Sequence, residues 1–520
     1  MSDAPVPAPP PPAEVVIGVD CGTTAAKVSA FGLCAPANGM PWRHTAVREY
    51  PLLHPSPGWA VQQPDVLITA VFAALTDVVA ACHGARVLAL SLSSAMHGLI
   101  GLDSGMRALT PLVTWADSRA AEQAAALKAD GVAPLLLHRS GTPVDSMSPL
   151  TKLLWFRDHE PALFGQVRYW IGLKDRLVWA LTGVLATELS CASGTGLLDV
   201  STGDWSAETL ALAGVEASQL PPVLDTTAAL GLGKAPAAQV GLPVTTPVVL
   251  GAGDGPLGNL GTGAIGDGVA GLSIGTSGAI RTIIPKPEVD ADAGLFCYAL
   301  TRDAWALGGA ISNGGSVLRW AGDVFGPQQH QATGRPDDAA VLALATSIPP
   351  GSDGLVALPY LMAERAPLWD PTLAGAFLGV RAGHTRGHFV RAGIEGVAQQ
   401  LWTILARLDR VTPISEVRAT GGVFRSALWR QILADVLDRP VTVTDGAEGS
   451  ALGAAALGLV GIGRAPDPAA ALAMLRPDDV AGAAAPATRP DPAVSAVYAD
   501  ARSRIPALVA SYATVAALFE

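Results

Sequence analysis

One short pattern occurs twice in the chain, half a chain apart, and it constrains the fold more than any other sequence feature. Residues 22–24 read Gly-Thr-Thr, and residues 275–277 read Gly-Thr-Ser. Each tripeptide lies between two apolar runs, so each is predicted to form the tip of a tight hairpin between two strands. A hairpin that is used twice in this way favours two related domains facing each other across a cleft.

The rest of the chain reads as short apolar runs separated by many of its 57 glycines and 41 prolines, which is typical of α/β folds. Predicted strands cover residues 15–20, 25–31, 87–93, 247–251, 269–274 and 416–419. Helical periodicity covers residues 65–82, 119–129, 149–157, 387–408 and 426–438. We therefore predict an α/β protein of two domains, with the boundary in the glycine-rich segment 258–268.

The two ends of the chain differ in composition from its body. Residues 4–13 are mostly Pro and Ala, so a disordered extension is predicted over residues 1–13. The two domains are then assigned to residues 14–258 and 259–463, and the Ala-rich remainder, 464–520, to a C-terminal appendage. A final helix near residues 493–517 is expected to dock on the body, and to break or kink at Pro506.

Composition excludes several classes of protein. The formal net charge of −11 argues against a surface for nucleic acid or anionic membranes. No run reaches the roughly 18 uninterrupted apolar residues that span a bilayer; the closest, 66–82, predicts an amphipathic core helix. The N-terminus lacks the pattern of a signal peptide, and the 5 cysteines are scattered. We expect a soluble, cytoplasmic protein with no membrane or nucleic-acid partner.

The first hairpin carries residue types that suit phosphate binding. Glycine lets the backbone approach a phosphate, and the hydroxyl groups of Thr23 and Thr24 can donate to its oxygens. Asp20, at the end of the preceding strand, can hold Mg²⁺ directly or through water, and Lys27 can add a positive charge. An ordinary turn capped by Asp20 is the alternative. The second hairpin favours a site that grips a polyphosphate from both sides.

Asp254 is the candidate general base. It follows a predicted buried strand, where α/β proteins place ligands, and the adjacent glycines leave its carboxylate uncovered. It suits a base that accepts the proton of a hydroxyl group attacking phosphorus, although it also suits a helix cap. Residues 253–258 formally match the dinucleotide fingerprint G-x-G-x-x-G. That match is weak, because the next strand ends without an acidic residue for a ribose.

Three further segments carry polar or bare-backbone features. His97, after a predicted strand, can donate a hydrogen bond to a polyol hydroxyl. The segment 115–119 offers an aromatic face, a carboxylate and a guanidinium, a mixture found in polyol sites and in ordinary capped helices. Gly421 and Gly422, between a strand and a helix, would let an adenine ring lie on bare backbone.

Taken together and in order, these segments resemble the FGGY carbohydrate kinase family of the actin-like ATPase superfamily. The likeness extends over residues 15–459 and is greatest to the bacterial gluconokinases. The segments that carry it are residues 93–98, 114–119, 139–143, 147–153, 273–281, 364–369 and 419–422.

The resemblance implies two actin-like (ribonuclease H-like) ATPase domains facing a central cleft, and ATP-dependent phosphorylation of D-gluconate at C6. It implies that Asp254 is the general base and that Asp20 organises Mg²⁺. The residues it implies for the phosphates and the nucleoside are Thr23, Thr24, Gly275, Thr276, Gly315, Gly421, Gly422 and Ser426. Those it implies for the sugar are Met96, His97, Trp115 and Arg119.

Two positions depart from the pattern of many family members. Ala95 stands where others carry Gln, and Gly255 stands where others carry Asn or Gln after the base. The missing amides argue against xylulose or glycerol as the substrate. The carboxylate of gluconate needs a cation or a cluster of N–H donors. The sequence does not choose among the candidates Arg119, Lys152, Lys174 and Arg365.

Two alternatives stay open. One is a kinase of the same family that acts on xylulose, glycerol, ribulose or a pentitol. The other is a catalytically silent sugar-binding regulator on the same scaffold, which the retained Asp20, Asp254 and both hairpins argue against. The sequence does not give the oligomeric state, and a homodimer stays open as well.

Overall fold

The computed structural model describes residues 11–33, 42–289, 294–326, 337–370, 372–444, 449–476 and 486–516. Most of the extension predicted over 1–13 lies outside the described residues, as do residues 477–485 and 517–520 of the predicted C-terminal appendage.

Strands and helices alternate along both halves of the chain. The strands of the first half are β1 (Glu14–Cys21), β2 (Ala25–Gly32), β3 (Arg43–Glu49), β4 (Val61–Gln62), β5 (Arg86–Ser94), β6 (Ile100–Leu102), β7 (Leu112–Val113), β8 (Tyr169–Ile171), β9 (Thr187–Glu188), β10 (Leu198–Asp199), β11 (Asp204–Trp205), β12 (Val223–Leu224), β13 (Ala229–Gly231) and β14 (Pro247–Gly253). Those of the second half are β15 (Val269–Ile274), β16 (Gly278–Ile284), β17 (Phe296–Thr301), β18 (Ala304–Ile311), β19 (Val356–Leu358), β20 (Ala376–Leu378), β21 (Glu416–Thr420) and β22 (Val441–Val443).

The α-helices are α1 (Pro64–Ala81), α2 (Ala121–Ala129), α3 (Ala133–Ser140), α4 (Pro149–His159), α5 (Pro161–Phe164), α6 (Leu173–Thr182), α7 (Leu189–Ser193), α8 (Ala207–Ala213), α9 (Lys234–Val240), α10 (Asp254–Gly261), α11 (Gly315–Phe325), α12 (Asp338–Thr346), α13 (Arg386–Val411), α14 (Ala427–Leu437), α15 (Gly449–Gly461), α16 (Pro468–Leu475) and α17 (Pro492–Ala516). Short 3₁₀ helices cover Ala217–Gln219, Ser352–Gly354 and Gly422–Arg425.

Each half of the chain is built around a six-stranded sheet. The strand orders are β13-β14-β5-β1-β2-β3 and β17-β18-β16-β15-β21-β22. In the first sheet β2 is antiparallel to β1 and β3, whereas β5 is parallel to β1 and β14 is parallel to β5. In the second sheet β15, β16, β18, β21 and β22 repeat that pattern of order and direction. The repeat confirms the predicted fold of two related α/β domains.

The pairing registers bring the polar strand ends together. Asp20 of β1 lies opposite Ser93 of β5, and Gly253 of β14 lies opposite Ser94. In the second sheet Ser273 of β15 lies opposite Thr420 of β21. The carboxyl ends of parallel strands are the edge at which open α/β sheets bind ligands. The register therefore places both hairpins and Asp254 at such edges.

Helix α1 is long and apolar enough to cross a membrane by length and composition alone. In the structure Leu67, Val71, Leu75 and Val78 are fully buried in one core with the strands of the first sheet. The helix packs on β2 and β3. It is therefore a core helix of the first domain, as its sequence predicts.

Helices α10 and α15 meet through bare backbone. A Cβ atom on Gly453 would lie 2.2 Å from the carbonyl oxygen of Leu257, and one on Gly261 would lie 2.0 Å from that of Gly449. Because α15 comes from the second half of the chain, this glycine contact joins the two halves. The boundary predicted at residue 258 falls inside α10.

The last helix docks on the second domain, as expected. Tyr498 of α17 is buried, and its hydroxyl group donates to Glu395 of α13 over 2.7 Å and accepts from Arg391 over 3.2 Å. A break or a kink was expected at Pro506. The break is absent, because α17 continues through this residue.

The glycine contact gives a stability prediction. Gly453→Ala should lower the free energy of unfolding by about 1–3 kcal/mol, because the added methyl group meets backbone that cannot rotate away. Chemical denaturation measures the change. Gly383→Ala is the matched control, since a Cβ atom there meets nothing within 4 Å. Equal stability of the two variants would contradict the prediction.

Candidate active site

Three adjoining cavities lie along the polar strand ends. We call them the inner cavity (about 280 Å³, lined by Met96, His97 and Trp115), the acid cavity (about 310 Å³, lined by Asp20) and the outer hollow (about 1000 Å³, lined by Thr276, Gly315 and Ser426). Asp254 and Arg281 line both the inner and the acid cavity. Gly275 lines both the inner cavity and the outer hollow. The three cavities therefore form one connected site.

Asp254 is the first residue of α10, immediately after β14. Its carboxylate accepts a hydrogen bond of 2.8 Å from the N–H of Gly255. Burial and, to a smaller extent, the charge of Asp20 raise the pKa of Asp254 to about 7, against the opposing effects of Arg281 and of the hydrogen bond from Gly255. A carboxylate with a pKa near neutrality is suited to take up a proton during a reaction.

Asp20, at the end of β1, shares the acid cavity with Asp254. The hydroxyl group of Ser93 donates to it over 2.7 Å. Burial raises the pKa of Asp20, and the bond from Ser93 and the charges of Lys27 and Lys174 lower it. Lys27 also lines the acid cavity, as predicted for a charge near phosphates.

The two carboxylates fit a magnesium ion. Among the described residues no three His, Cys, Asp or Glu side chains gather as a metal site. Mg²⁺ is commonly held by one or two carboxylates, with water and substrate phosphates completing its coordination. Asp20 and Asp254 repel each other across the acid cavity, and a bound cation would relieve that repulsion. The donor set therefore suits an ion that arrives with a phosphate ligand.

Lys174 is not available to a ligand of the site. Its ammonium group is buried and donates to the carbonyl oxygens of Leu92, Leu250 and Ala252 over 3.1, 2.9 and 2.8 Å. It also pairs with Glu188 over 3.3 Å. It therefore supports the strand ends beneath Asp254, and it is not a free cation for a carboxylate.

Lys152 is likewise internal. Its ammonium group donates to the carbonyl oxygens of His97 and Thr114 over 2.6 and 2.8 Å. Burial lowers the pKa of Lys152 to about 7. His97 has a φ of 64°, which is unfavourable for a residue with a side chain. Lys152 therefore holds the strained backbone of His97 in place.

His97 lines the inner cavity in a defined protonation state. Its Nδ1 lies 2.7 Å from the carbonyl oxygen of Gly194, which can only accept, so Nδ1 carries the proton. Burial lowers the pKa of His97 to about 4, against the bond to Gly194, so the ring is neutral at neutral pH. Its Nε2 is then an acceptor. The sequence predicted a donor to a hydroxyl group, and the hydrogen bond to Gly194 reverses that role.

Met96, Trp115 and Thr23 line the inner cavity together. The indole N–H of Trp115 donates to the hydroxyl oxygen of Thr23 over 2.8 Å, which ties the first hairpin to the cavity wall. Gly253 leaves room for Met96, since a Cβ atom there would lie 2.4 Å from its sulfur. Thr24 is exposed and lines none of the three cavities.

Arg119 does not line the inner cavity, in contrast to its predicted role. Its guanidinium donates twice to Asp117, over 2.8 Å each, and lies 3.6 Å above the ring of Trp59. The side chain is 3% exposed. Arg119 therefore has a structural role beneath the site. The sequence alone does not distinguish such an arginine from one that binds a ligand.

Most residues predicted for a nucleoside and its phosphates line the outer hollow: Gly275, Thr276, Gly315, Gly422 and Ser426. The N–H of Gly315 donates to the carbonyl oxygen of Gly275 over 2.8 Å, which fixes the second hairpin to the start of α11. Gly421 adjoins the hollow without lining it. Its φ of 129° and close approach to Ile274 (2.0 Å from a Cβ atom to the carbonyl oxygen) require glycine.

Two arginines line the inner cavity, and only one was a predicted candidate. Arg365 was considered for a carboxylate, whereas Arg281 was not. The sequence did contain a signal for Arg281: it is a charged residue within the otherwise apolar strand β16, and charged side chains are rarely buried without a partner. Of the four candidate cations for a carboxylate, Arg365 alone lines the inner cavity.

The bonds of Lys174 give a second prediction. Lys174→Met should lower the free energy of unfolding by about 3–5 kcal/mol, because it leaves Glu188 charged, buried and unpaired. Denaturant unfolding followed by tryptophan fluorescence measures the loss. Lys234→Met, on an exposed helix end, is the control. A loss no larger than that of the control would show that Lys174 does not support the strand ends.

Comparison with known proteins identifies the family of this chain. Residues 15–261 and 270–462 match the N-terminal and C-terminal domains of the FGGY family of carbohydrate kinases. A gluconokinase of Bacillus subtilis (strain 168) is 37% identical over 86% of this chain and 88% of that protein. A xylulose kinase of the same strain is 30% identical over the same shares. The crystal structure of gluconate kinase from Lactobacillus acidophilus matches with a TM-score of 0.90 and 31% identity, over 98% of this chain and 100% of that one. The chain belongs to the FGGY family of carbohydrate kinases.

Proposed function

We propose that this carbohydrate kinase transfers the γ-phosphoryl group of ATP to the C6 hydroxyl group of D-gluconate in the cytoplasm. The observation that carries the proposal is the position of Asp254, which lines both the inner cavity and the acid cavity. A hydroxyl group of a substrate in the inner cavity can reach Asp254, and Asp254 also borders the acid cavity. The gluconokinase relative, at 37% identity, supports gluconate as the substrate.

The inner cavity would bind the polyol chain. The acceptor Nε2 of neutral His97 and the aromatic face of Trp115 suit hydroxyl groups and C–H edges, respectively. Asp254 would accept the proton of the C6 hydroxyl as its oxygen attacks the γ-phosphorus in line. Its pKa of about 7 lets it take the proton and release it again at neutral pH.

The outer hollow and the second hairpin would bind ATP. Thr276 and Gly275 would contact the phosphates, and Gly315, Gly422 and Ser426 would border the nucleoside. Asp20 would hold Mg²⁺, with Asp254 close by. When bound, the ion would neutralise charge on the transferring phosphoryl group. Enclosure of the acid cavity by both domains would exclude water and limit wasteful hydrolysis of ATP.

A xylulose kinase is the second candidate, because a xylulose kinase relative is 30% identical over the same share of the chain. Gly255 argues against it, since no amide follows Asp254 to bind a neutral sugar.

A substrate panel tests the proposal. ADP release with Mg-ATP, coupled to NADH oxidation, should be fast with D-gluconate and near background with xylulose, glycerol, ribulose or no acceptor. If only another acceptor is phosphorylated, that acceptor is the substrate and gluconate is not. Tight ATP binding without turnover on any acceptor would favour the non-catalytic regulator.

The raised pKa of Asp254 predicts the pH dependence of catalysis. The base must be ionised, so kcat/KM for the acceptor, measured with Mg-ATP well below its KM so that the free enzyme is reported, should fall as the pH drops through about 7, approaching tenfold per unit below it. Asp254→Asn should lower kcat by about 10²–10⁴-fold and remove this acid limb. Asp130→Asn, at the exposed end of α2, is the control. A kcat/KM that stays flat to pH 5 would contradict the role of Asp254.

A further inference from the structure

Arg281 reaches the inner cavity through space left by two glycines. It lies on β16 opposite Gly308 of β18, and a Cβ atom on Gly308 would lie 2.8 Å from Cγ of Arg281. A Cβ atom on Gly255 would lie 3.3 Å from Nη2 and 3.5 Å from Cζ of the same side chain. The guanidinium therefore occupies the space that a side chain after Asp254 would otherwise fill.

The guanidinium of Arg281 forms no ion pair within the described part of the protein, although the charge of Asp254 acts on it. Its Nε is fully buried and makes no hydrogen bond. Its charged end faces the ring of Phe296, with 5.7 Å between Cζ and the ring centroid. A buried donor without an acceptor costs about 1–3 kcal/mol, so such a group is expected to meet one on a ligand.

Arg365 adds a second positive charge to the same cavity. One of its terminal nitrogens donates to the carbonyl oxygen of Ile311 over 2.8 Å, and its Cζ lies 5.1 Å from the ring centroid of Trp115. Its Nε is also buried without a hydrogen bond. The charge of Arg365 lowers the pKa of Arg281, so the two guanidiniums interact across the cavity.

The nearby carboxylates do not use these donors. Glu364 accepts from the backbone N–H groups of Ser312 and Arg365, and Asp145 accepts from that of Met147. Asp254 accepts from the N–H of Gly255 and attracts Arg281 without forming an ion pair with it. The inner cavity thus presents two cations and unused N–H donors to whatever binds there. This is the environment that a planar anion needs.

We propose that Arg281 binds the carboxylate of a sugar-acid substrate, that Arg365 strengthens the positive potential there, and that Gly255 admits Arg281 to the cavity. The inference rests on the proposed function and extends it, because it names the residue that selects an aldonic acid over a neutral polyol. Arg281 would act as a specificity residue. Because it also lines the acid cavity, the experiment has to separate contact with the carboxylate from contact with the transferring phosphoryl group.

Calorimetric binding to Asp254→Asn protein, which cannot turn over, tests the inference independently of activity. D-gluconate and D-gluconamide are the probes, since they differ only in the group at C1, which is a charged carboxylate in the first and a neutral amide in the second. Arg281→Met should weaken gluconate binding by roughly 10- to 100-fold and gluconamide binding far less, because the neutral amide oxygen accepts a weaker hydrogen bond from a guanidinium than a carboxylate does. Arg281→Lys should retain part of the preference for gluconate. Arg107→Met, an exposed arginine, is the matched control.

Gly255→Asn is a second, independent variant. Its side chain would compete with the guanidinium for space and offer a neutral amide, so the ratio of gluconate to gluconamide affinity should fall. If Arg281→Met does not fold, this variant and Arg281→Lys still decide the question. Folding is checked by the thermal shift with Mg-ATP.

The outcomes separate the inference from the proposed function. If the wild type prefers another sugar acid and Arg281→Met abolishes that preference, the substrate is wrong and the inference holds. If the wild type turns over gluconate but Arg281→Met keeps the gluconate preference, the inference is overturned and the function stands. If, with Asp254 restored, Arg281→Met lowers kcat on every acceptor without changing KM, Arg281 acts on the phosphoryl group and the inference is overturned.

Discussion

The ammonium group of Lys174 holds together the strand ends on which the site is built. The pairing of β14 with β5 shifts register between Val249 and Ala252, and Gly251 adopts a φ of 66° within that shift. A bulge of this kind leaves carbonyl groups without ladder partners. Lys174 donates to the carbonyl oxygens of Leu250 and Ala252 and to that of Leu92 across the strand pair. The bulge can therefore aim Asp254 into the cleft without leaving buried acceptors unpaired.

The cations of the molecule divide into two groups by what surrounds them. Lys152 and Lys174 are enclosed by carbonyl oxygens, and both hold backbone that carries a residue of the site. Arg281 and Arg365 have buried nitrogen atoms without acceptors and line a cavity. The first pair is satisfied by the protein, whereas the second is incomplete without a ligand. All four side chains are positively charged, so their charge does not distinguish the two pairs. What distinguishes them is whether their N–H donors have acceptors within the protein.

Much of the fold and the positions of Asp20 and Asp254 could be predicted from the sequence, because they depend on short segments of the chain. Strand periodicity, the repeated hairpin and the residues at strand ends are all properties of short segments, so Asp20 and Asp254 could each be placed at the end of a strand before any coordinates. Their position at one edge came from the strand pairing. The roles of Arg119, Lys152 and Lys174 could not be read, because burial and partners come from segments distant in the chain. Arg281 was overlooked for the same reason: only the structure brings Gly255 and Gly308 to either end of its side chain.

The glycine contact between α10 and α15 also suits a pivot for rotation of the two domains. Two helices that touch through bare backbone at Gly453 and Gly261 have no side chains there to slide past one another, so relative rotation of the domains would pivot at that point. Displacement about a pivot grows with distance from it. Asp254, at the start of α10, belongs to one of these two helices and would move little, while the hydrogen bond from the ammonium group of Lys128 to the carbonyl oxygen of Trp369, which joins the two halves elsewhere, would have to break. The mouth of the cleft could thus open and shut while the acid pair kept its geometry.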